Sequence, residues 1–409
     1  MFWLYVFWVL GSVLLLQSVW SLLDGYKFLS YLRRSQATPL SAYHPNAALI
    51  VPCKGLDVGL EENLGAYLSQ DYSAYQVIFA VSSESDPAFP VLRGIVRNHD
   101  GPRQCPPQKI SIVVAGISET NGEKVHNLLA ALQRVDSGTE VLAFADSDAR
   151  PSRGWLRALI APLGDPAVTV STGFRWHLPS ASFASRLQAA WDSAIATMFG
   201  DHARNIAWGG SMALRQEDFR RMRIAEKYWQ GTVSDDYAIA QAAHDVKGTI
   251  RFEPRCLVPT EPDTRIARVL KWTNRQIILT RVYAPKLWLQ GMASFGLYVL
   301  AMLVGVAVLV LPAFAPTAKA QAGLLLAVIL CLGMAKGRLR LIAARQSFPQ
   351  HRERLKRWGD CYWQLTILTP WLMFWNFCVA AFVCRIEWRG TVYHLKSRKQ
   401  VCILRRSAP

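Results

Sequence analysis

Hydrophobic and polar residues divide this chain into three zones. Residues 2–23 carry no charge and are long enough to cross a bilayer, which needs roughly 20 apolar residues. No basic segment precedes this run and no small-residue cleavage site follows it, so the pattern favours an uncleaved anchor over residues 1–25. Short apolar runs alternate with polar stretches across residues 45–285. The chain is strongly apolar again within residues 286–384, which predicts a C-terminal membrane region.

The middle zone has the pattern of an α/β domain. Its short apolar runs predict buried strands and the segments between them predict helices, which together favour a mostly parallel sheet covered on both faces. In such sheets ligands bind beyond the carboxyl ends of the strands. The predicted strands are 47–52, 75–81, 109–115, 140–145 and 167–172, and the predicted helices include 61–69, 88–98, 123–134 and 153–163.

The C-terminal zone predicts two spans, at about 288–313 and 319–336. A third apolar segment, 361–384, has Pro370 near its middle and basic residues on both sides. A single crossing would put one basic flank outside, against the positive-inside rule. We therefore expect 361–384 to be re-entrant or interfacial. The rule also places the middle zone and the basic tail 385–409 in the cytosol.

Charge and cysteine content narrow the class of protein. The chain has 46 Lys and Arg against 29 Asp and Glu, a net charge of +17, and half of its residues are hydrophobic. In a protein this apolar, the basic excess indicates an anionic membrane surface rather than nucleic acid. The eight cysteines form no CxxC pair, so neither a zinc site nor a disulfide framework is indicated.

Two carboxylates follow the predicted strand 140–145, in the sequence FADSD. Asp146 and Asp148 stand one residue apart, so both side chains can face one ion on an extended segment. A hard divalent cation, Mg²⁺ or Mn²⁺, takes such oxygen ligands and also bridges diphosphates. The other interpretation is a capping turn, because Asp and Ser favour helix starts and RPSRGW comes next.

Two further acidic segments carry the same ambiguity. Asp86 follows another predicted strand in a Ser-rich loop, where it suits either a nucleotide site or an ordinary turn before Pro87. Asp235 and Asp236 begin a predicted helix after Ser234. Capping accounts for one carboxylate of this pair. The other is suited to take a proton from an acceptor hydroxyl within hydrogen-bond reach.

The segment RIARVLKWTNRQ, residues 265–276, predicts a helix with a basic face just before the membrane. One interpretation is a juxtamembrane helix that binds anionic lipid. The other is that Arg268 or Lys271 neutralises a leaving diphosphate while Trp272 packs near the acceptor.

In this order the segments resemble a family of membrane glycosyltransferases with the GT-A fold, that of ceramide glucosyltransferase and its bacterial relatives. The family signature is three aspartates followed by (Q/R)xxRW. SDPA, FADSD, SDDY and RVLKW match it, which places the aspartates at Asp86, Asp146 and Asp236. The resemblance extends to KGLDVGLEENL, EKVHNLLAAL, GGSMALRQEDF and IEWRGTVYHLKSR. Two departures are Lys271 in place of the usual Arg, which loses a bidentate fork, and an Asp-Asp pair where Glu-Asp is usual.

The resemblance implies an inverting, metal-dependent transfer of a hexose, with glucose the family expectation, from a UDP-sugar to a hydroxyl of a membrane lipid such as ceramide. It implies roles for the following residues: Lys54, Asp86, Lys124, Asp146 and Gly210 in donor binding; Asp146 and Asp148 on Mg²⁺ or Mn²⁺; Asp235 and Trp272 on the acceptor side; Asp236 as general base; and Arg268, Lys271 and Trp272 closing over the diphosphate and the acceptor head. The membrane would be the bacterial inner membrane, or the Golgi or endoplasmic reticulum in a eukaryote.

Other interpretations stay open at this stage. The alternative acceptors are other lipids: diacylglycerol, a hopanoid or a polyprenyl phosphate. A processive polysaccharide synthase shares the fold and the DxD motif, although it usually carries QxxRW and more spans, whereas Arg268 stands at the Gln position here. From another class, an inactive membrane-bound carbohydrate-binding or scaffold protein is disfavoured by the intact acids at all three places.

Overall fold

The computed structural model describes residues 2–97, 107–203 and 205–406. The last residue of the predicted helix 88–98 lies outside these ranges. The strands are β1 (Ala47–Pro52), β2 (Tyr75–Val81), β3 (Lys109–Val114), β4 (Val141–Ala145), β5 (Val168–His177), β6 (Ser211–Arg215), β7 (Thr249–Thr260), β8 (Arg385–Trp388), β9 (Thr391–Ser397) and β10 (Gln400–Arg406).

The helices alternate with the first seven strands and then follow one another without interruption. They are α1 (Phe2–Ala37), α2 (Leu60–Tyr67), α3 (Ala88–Arg97), α4 (Glu123–Leu132), α5 (Trp155–Ile160), α6 (Phe183–Ala196), α7 (Gln216–Arg221), α8 (Asp235–Asp245), α9 (Ile266–Tyr283), α10 (Pro285–Val310), α11 (Pro316–Ser347), α12 (Arg352–Trp358), α13 (Cys361–Gln364) and α14 (Thr369–Phe382). The chain divides into two compact units, a sheet unit (residues 34–176, 199–260 and 384–406) and a helical unit (2–33, 177–198 and 261–383).

The sheet unit is built on a seven-stranded sheet in the order β3-β2-β1-β4-β6-β5-β7. The pairs β1–β2, β1–β4 and β2–β3 are parallel, and β6 runs antiparallel to both β4 and β5. Every residue of β2 and β4 is buried, as their mainly apolar runs predict for strands covered on both faces. This mainly parallel sheet confirms the predicted α/β class.

Large aromatic side chains fill the core on one face of this sheet. The ring of Phe144 in β4 lies 5.5 Å from that of Trp229 and 6.5 Å from that of Phe219. Trp229 is fully buried, and Phe219 is 6% exposed. The Phe144–Trp229 pair is edge-to-face, a geometry that adds to the free energy of burial. These contacts hold β4 rigidly, and the two carboxylates of the DSD motif begin directly after its last residue.

A second, three-stranded sheet belongs to the same unit. The strands β8, β9 and β10 are antiparallel neighbours in chain order. The charge of this stretch predicts a basic tail, and its segment IEWRGTVYHLKSR resembles the family, but no strands are predicted there. In the structure Trp388 pairs with Thr391, which leaves Arg389 and Gly390 as a two-residue hairpin turn, and both have positive φ, 46° and 79°. That is the geometry of a type I′ turn.

The helical unit contains three helices that are long and apolar enough to cross a membrane: α1, α10 and α11. They share a core in which Phe7 and Leu14 of α1 meet Met302 of α10 and Leu326 of α11. Gly305 of α10 permits this approach, because an added Cβ would lie 2.8 Å from the Phe7 ring. Apolar side chains on the outside of the helices remain exposed, as the surface of a membrane protein requires.

The apolar segment 361–384 forms a bent pair of helices in the helical unit. Residues Cys361–Ile367 and Thr369–Phe382 meet at an angle of 62°, with Pro370 at the start of the second helix. Proline has no N–H to continue a helix and clashes with the preceding turn, which accounts for the break at this position. A broken span and a re-entrant segment both have this form.

Candidate active site

The chemistry-bearing side chains of the sheet unit gather where its central strands end. Lys54, Asp86 and Asp146 follow the carboxyl ends of β1, β2 and β4. Because parallel neighbours end at the same edge of a sheet, three separate sequence segments meet there. Gly210, just before the antiparallel β6, lies at the same edge of the sheet. A Cβ added to Gly210 would contact an Asp146 oxygen.

Asp86 is 7% exposed and is held by backbone donors on both sides. Its Oδ1 accepts hydrogen bonds from the N–H of Gly55 at 2.8 Å and of Ala88 at 2.9 Å. The second bond caps the start of α3, so the turn interpretation is correct as far as it goes. The first bond joins the loop after β1 to the loop after β2, so Asp86 also fixes the positions of these two loops.

A cavity of about 420 Å³ opens beside Asp86, within the size range of small-molecule sites. The residues that line it are Lys54, Gly55, Leu56, Asp57, Asp86, Pro87 and Arg389. Lys54 Nζ forms an ion pair with Glu123 and donates to Thr391 Oγ1 at 3.2 Å. Sequence analysis predicts donor binding for two of these residues, Lys54 and Asp86, and misses the others.

Two carboxylates one residue apart repel each other unless positive charge lies close to them. In the structure, cationic side chains face Asp146. Lys124 Nζ lies 2.7 Å from Asp146 Oδ1 and 3.1 Å from Asp235 Oδ2. Arg175 Nη2 lies 3.3 Å from Asp146 Oδ2, and its guanidinium stacks 4.9 Å above the Trp208 ring. The predicted residues Lys124, Asp146 and Asp235 are therefore brought into one buried network.

These contacts shift the pKa values of the network in opposite directions. Burial raises the pKa of Asp146, but Lys124 and Arg175 outweigh burial and leave it below its usual value. Burial lowers the pKa of Lys124, but Asp146 and Asp235 outweigh burial and raise it. For Asp235 burial prevails over the attraction of Lys124, and its pKa rises to about 7. The network therefore favours the ionised form of Asp146, whereas Asp235 changes its protonation state near neutral pH.

Asp236 differs from its neighbour because it is only partly buried. Its Oδ1 accepts hydrogen bonds from the Ser234 hydroxyl and from the N–H of Tyr237. Its Oδ2 accepts from the N–H of Gly209 at 3.3 Å. The N-cap of α8 is Ser234, whereas the capping interpretation assigned that role to one of the two carboxylates. The pair thus separates into a buried carboxylate facing Lys124 and an accessible one held at the glycine segment.

The glycine segment has no room for side chains. A Cβ on Gly209 would lie 2.4 Å from Asp235 Oδ2, and one on Gly210 would lie 2.2 Å from the Trp208 ring and 2.7 Å from Asp146 Oδ2. Real Cβ atoms essentially never lie this close to another heavy atom, so none of the three distances is tolerated. The two glycines therefore allow the backbone to pass directly between the carboxylates, as a close approach requires.

The second carboxylate of the DSD motif faces a cation that sequence analysis does not single out. Asp148 is about a third exposed, and its Oδ2 lies 3.8 Å from Nη2 of Arg389, at the tip of the β8–β9 hairpin. Arg389 also donates to Asp57 and to the Lys54 carbonyl. The available signal was Gly390 between two β-patterned runs, IEW and TVYHL, because a glycine between two such runs is typical of a short hairpin turn.

The pair Asp146 and Asp148 has the donor chemistry of a divalent-cation site that is completed by substrate. Carboxylate oxygens suit Mg²⁺ and Mn²⁺, and Mg²⁺ is commonly held by one or two carboxylates together with phosphate oxygens and water. Across residues 2–97, 107–203 and 205–406, no group of three His, Cys, Asp or Glu side chains comes together as a metal site. The chemistry of the two carboxylates fits a divalent cation that also takes phosphate oxygens and water as ligands.

The predicted basic-aromatic motif lies on α9 of the helical unit. Arg268 is 64% exposed at the side chain, with Nη1 3.7 Å from Asp263 Oδ1, and Lys271 is also exposed. Trp272 is partly buried, with its ring 5.0 Å from His177 and 5.2 Å from Trp191 in edge-to-face contacts.

A buried contact between a histidine and an aspartate lies beside this aromatic cluster. His177 Nδ1 lies 2.9 Å from Asp192 Oδ2, and both side chains are almost fully buried. The contact fixes the imidazole on which Trp272 packs. The motif consists of two accessible cations and one fixed tryptophan.

Comparison with known proteins gives matches of several kinds. Among solved structures, a mannosyltransferase from Pyrobaculum calidifontis in complex with GDP-Man and Mn²⁺ aligns over 91% of this chain and 97% of its own, with 16% identity and a TM-score of 0.49. Glucosyl-3-phosphoglycerate synthase from Mycobacterium tuberculosis, in complex with phosphoglyceric acid, aligns over 63% of this chain and 84% of its own, with 11% identity and a TM-score of 0.37.

Matches from sequence concern one curated protein and one family. Ceramide glucosyltransferase 1 of Caenorhabditis elegans is 28% identical over 87 residues. That alignment covers 21% of this chain and 17% of the relative, so the chain matches less than a fifth of that protein. The family model described as glycosyl transferase family 21 matches residues 8–401, nearly the whole chain.

Proposed function

Because the chain belongs to glycosyl transferase family 21 and is a glycosyltransferase, we propose that it moves a hexose from a UDP-sugar to the hydroxyl of a membrane lipid such as ceramide. Glucose is the hexose that we expect. The transfer would proceed with inversion at the anomeric carbon. The observation that carries the proposal is the network of Lys124, Asp146 and Asp235 beside the accessible Asp236. It combines a fixed negative site for a cation with a partly exposed carboxylate at one sheet edge.

On the donor side, the cavity next to Asp86 would take the nucleotide. Its lining presents a carboxylate fixed by two backbone donors and the ammonium of Lys54 within one small volume. Fixed polar groups in a pre-formed pocket orient a ligand without a cost of reorganisation. Gly210 would let the diphosphate approach the backbone next to Asp146.

Asp146 and Asp148 would hold a divalent cation on the donor diphosphate. When bound, such a cation stabilises the charge that develops on the leaving nucleoside diphosphate. Lys124 and Arg175 keep Asp146 ionised, as the lowered pKa of that carboxyl indicates. They also contribute positive charge on the leaving-group side.

Asp236 would be the general base. It is the more accessible carboxylate of its pair, and three protein donors hold both of its oxygens in place. A base held in this way can take the proton of an acceptor hydroxyl as the oxygen attacks the anomeric carbon. Asp235 is 1% exposed and faces Lys124. We therefore assign Asp235 a positioning role through Lys124 instead of direct contact with the acceptor.

A two-chain lipid leaves the bilayer only at a cost of about 0.8 kcal/mol for each CH₂ exposed. The acceptor would therefore be taken directly from the bilayer, and we propose that it comes from the cytosolic leaflet. The helical unit offers an exposed basic face on α9, with Arg268 and Lys271, close in sequence to the first of the C-terminal apolar helices. Trp272 offers an aromatic surface next to these cations. Together they suit a lipid head group and a diphosphate.

The proposal is tested by a transfer assay with the purified full chain in detergent. Radiolabelled UDP-glucose, UDP-galactose and GDP-mannose are each offered with Mg²⁺ against ceramide, diacylglycerol, a hopanoid polyol and a polyprenyl phosphate. We expect one lipid-soluble radioactive product, from UDP-glucose and ceramide. A product from another lipid would revise the acceptor, and a water-soluble polymer would identify a polysaccharide synthase. Absence of transfer to any acceptor would overturn the proposal.

A further inference from the structure

The tip of the C-terminal hairpin reaches the cavity of the sheet unit with a single charged side chain. Arg389 lines that cavity together with residues of the loops after β1 and β2, although it lies more than 300 positions later in the sequence. Its side chain is 31% exposed, so it is neither fully covered nor free in solvent. The guanidinium is thus available to a molecule in the cavity.

The backbone of this turn is shaped to hold the arginine at the tip. Arg389 has φ 46°, a left-handed conformation that is uncommon for residues with a Cβ. Asn or Asp is the usual residue at the first position of a type I′ turn. An arginine in that place gives up local stability, and strained residues of this kind concentrate where a side chain must be aimed.

Three further contacts join the C-terminal sheet to the rest of the sheet unit. The Tyr393 hydroxyl accepts a hydrogen bond from the N–H of Glu123 at the start of α4, and Thr391 contacts Lys54. Arg406 donates to the carbonyl of Ser118. These bonds tie β9 and β10 to the loops at the carboxyl ends of the main sheet. The fold of the sheet unit therefore fixes the position of Arg389, which does not lie on a loose tail.

The surroundings of the guanidinium indicate what it binds. Its two Nη atoms donate to Asp57 at 3.1 and 3.0 Å, and Nη1 also donates to the Lys54 carbonyl. Asp57 is shared with the Ser147 hydroxyl, inside the DSD motif, at 2.8 Å. The contact to Asp148 at 3.8 Å is too long for a hydrogen bond. Arg389 thus stands between the cavity and the motif that would hold the diphosphate's cation.

We propose that Arg389 is a diphosphate-binding residue, supplied to the donor site by the β8–β9 hairpin. A planar guanidinium binds phosphate oxygens through two parallel hydrogen bonds, which is the reason arginine is favoured for this ligand. The inference rests on the proposed function, because it requires that the cavity holds a nucleoside diphosphate. It makes the C-terminal sheet part of the active site and not only a cytosolic tail.

The test is a comparison of nucleotide affinities by isothermal titration calorimetry on the full chain in detergent, with Mg²⁺ present. The probes are uridine, UMP and UDP, and the variants are Arg389→Gln, Arg389→Lys and Arg405→Gln. Arg405 is an exposed arginine of β10 in the same sheet and is the matched control. Thermal unfolding of each variant shows whether it is folded.

We expect Arg389→Gln to weaken UDP binding by about 10- to 100-fold, the range for a hydrogen bond to a charged group, while uridine affinity is unchanged. Arg389→Lys should restore part of the loss, and Arg405→Gln should bind like the unaltered chain. If Arg389→Gln weakens uridine and UDP equally, or neither, Arg389 only supports the loops and the inference is wrong while the proposed function stands. If the unaltered chain binds no UDP at all, the proposed function and the inference fall together.

Discussion

Lys124 is the residue on which the charge balance of the candidate site depends most. Its ammonium lies between Asp146 and Asp235, at 2.7 and 3.1 Å, and only 14% of its side chain is exposed. The substitution Lys124→Met keeps the length of the side chain and removes the charge. It leaves two buried carboxylates facing each other with Arg175 as the remaining cation on Asp146.

The size of the effect follows from burial. Removing one partner of a buried ion pair costs about 3–5 kcal/mol, because the other charge stays desolvated and unpaired. In a unit of roughly 150–250 residues, each kcal/mol shifts the unfolding temperature by about 2–4 °C, so Lys124→Met should lower it by about 6–20 °C. The matched control is Lys109→Met. Lys109 pairs with Asp136 at 2.5 Å, but both side chains are half exposed. Its loss should cost about 0–1 kcal/mol.

Thermal unfolding in detergent at pH 8, above the pKa of about 7 of Asp235, measures both substitutions. A double-mutant cycle with Asp235→Asn then isolates the pair. Because Asp235→Asn removes the carboxylate that Lys124→Met leaves unpaired, the double variant should recover about 0.5–3 kcal/mol relative to the sum of the single changes. An unfolding temperature of Lys124→Met equal to that of the Lys109 control, or strict additivity with Asp235→Asn, would refute the reasoning.

Three other outcomes can be checked in the same preparations. Gly210→Ala places a Cβ 2.2 Å from the Trp208 ring and should cost about 1–3 kcal/mol in stability, as overpacking does. Gly138→Ala, with nothing within 4 Å of the added atom, is its control and should leave the unfolding temperature unchanged. Asn376→Leu removes the acceptor of the buried Trp191 N–H and should destabilise by about 1–3 kcal/mol; an unaltered unfolding temperature would contradict this. Addition of EDTA should abolish hexose transfer and Mg²⁺ or Mn²⁺ should restore it, whereas full activity in EDTA would rule out the cation.

The main sheet could be predicted from sequence because its central strands are buried on both faces. The run VLAFA is wholly apolar and YQVIFAV holds one amide, Gln76, among apolar and aromatic residues; the observed β2 and β4 match these runs within one residue. The strands β6 and β7 escaped prediction for a physical reason. β6 follows two glycines that look like a loop, and β7 alternates apolar residues with Arg, Glu and Pro over twelve positions.

The acids of the candidate site were predictable and most of their partners were not. Asp146 stands directly after a recognisable strand, Asp86 lies in the short loop after another, and Ser234 marks the helix that begins with Asp235. The cations Arg175 and Arg389 come from a strand interior and from a distant hairpin. Nothing local relates either of them to Asp146 or Asp148, because pairing across such sequence distances is decided by the order of strands in the sheet and not by spacing along the chain.

The most direct test of the central claim is the transfer rate of Asp236→Asn compared with that of the unaltered chain, with UDP affinity measured on the same samples. Asparagine keeps the size of the side chain but cannot accept the acceptor's proton. A well-placed general base contributes about 100- to 10,000-fold, so transfer from UDP-glucose to the lipid should fall by that factor while UDP still binds normally. Transfer by Asp236→Asn at the rate of the unaltered chain would contradict the assignment of the base and with it the account of this site.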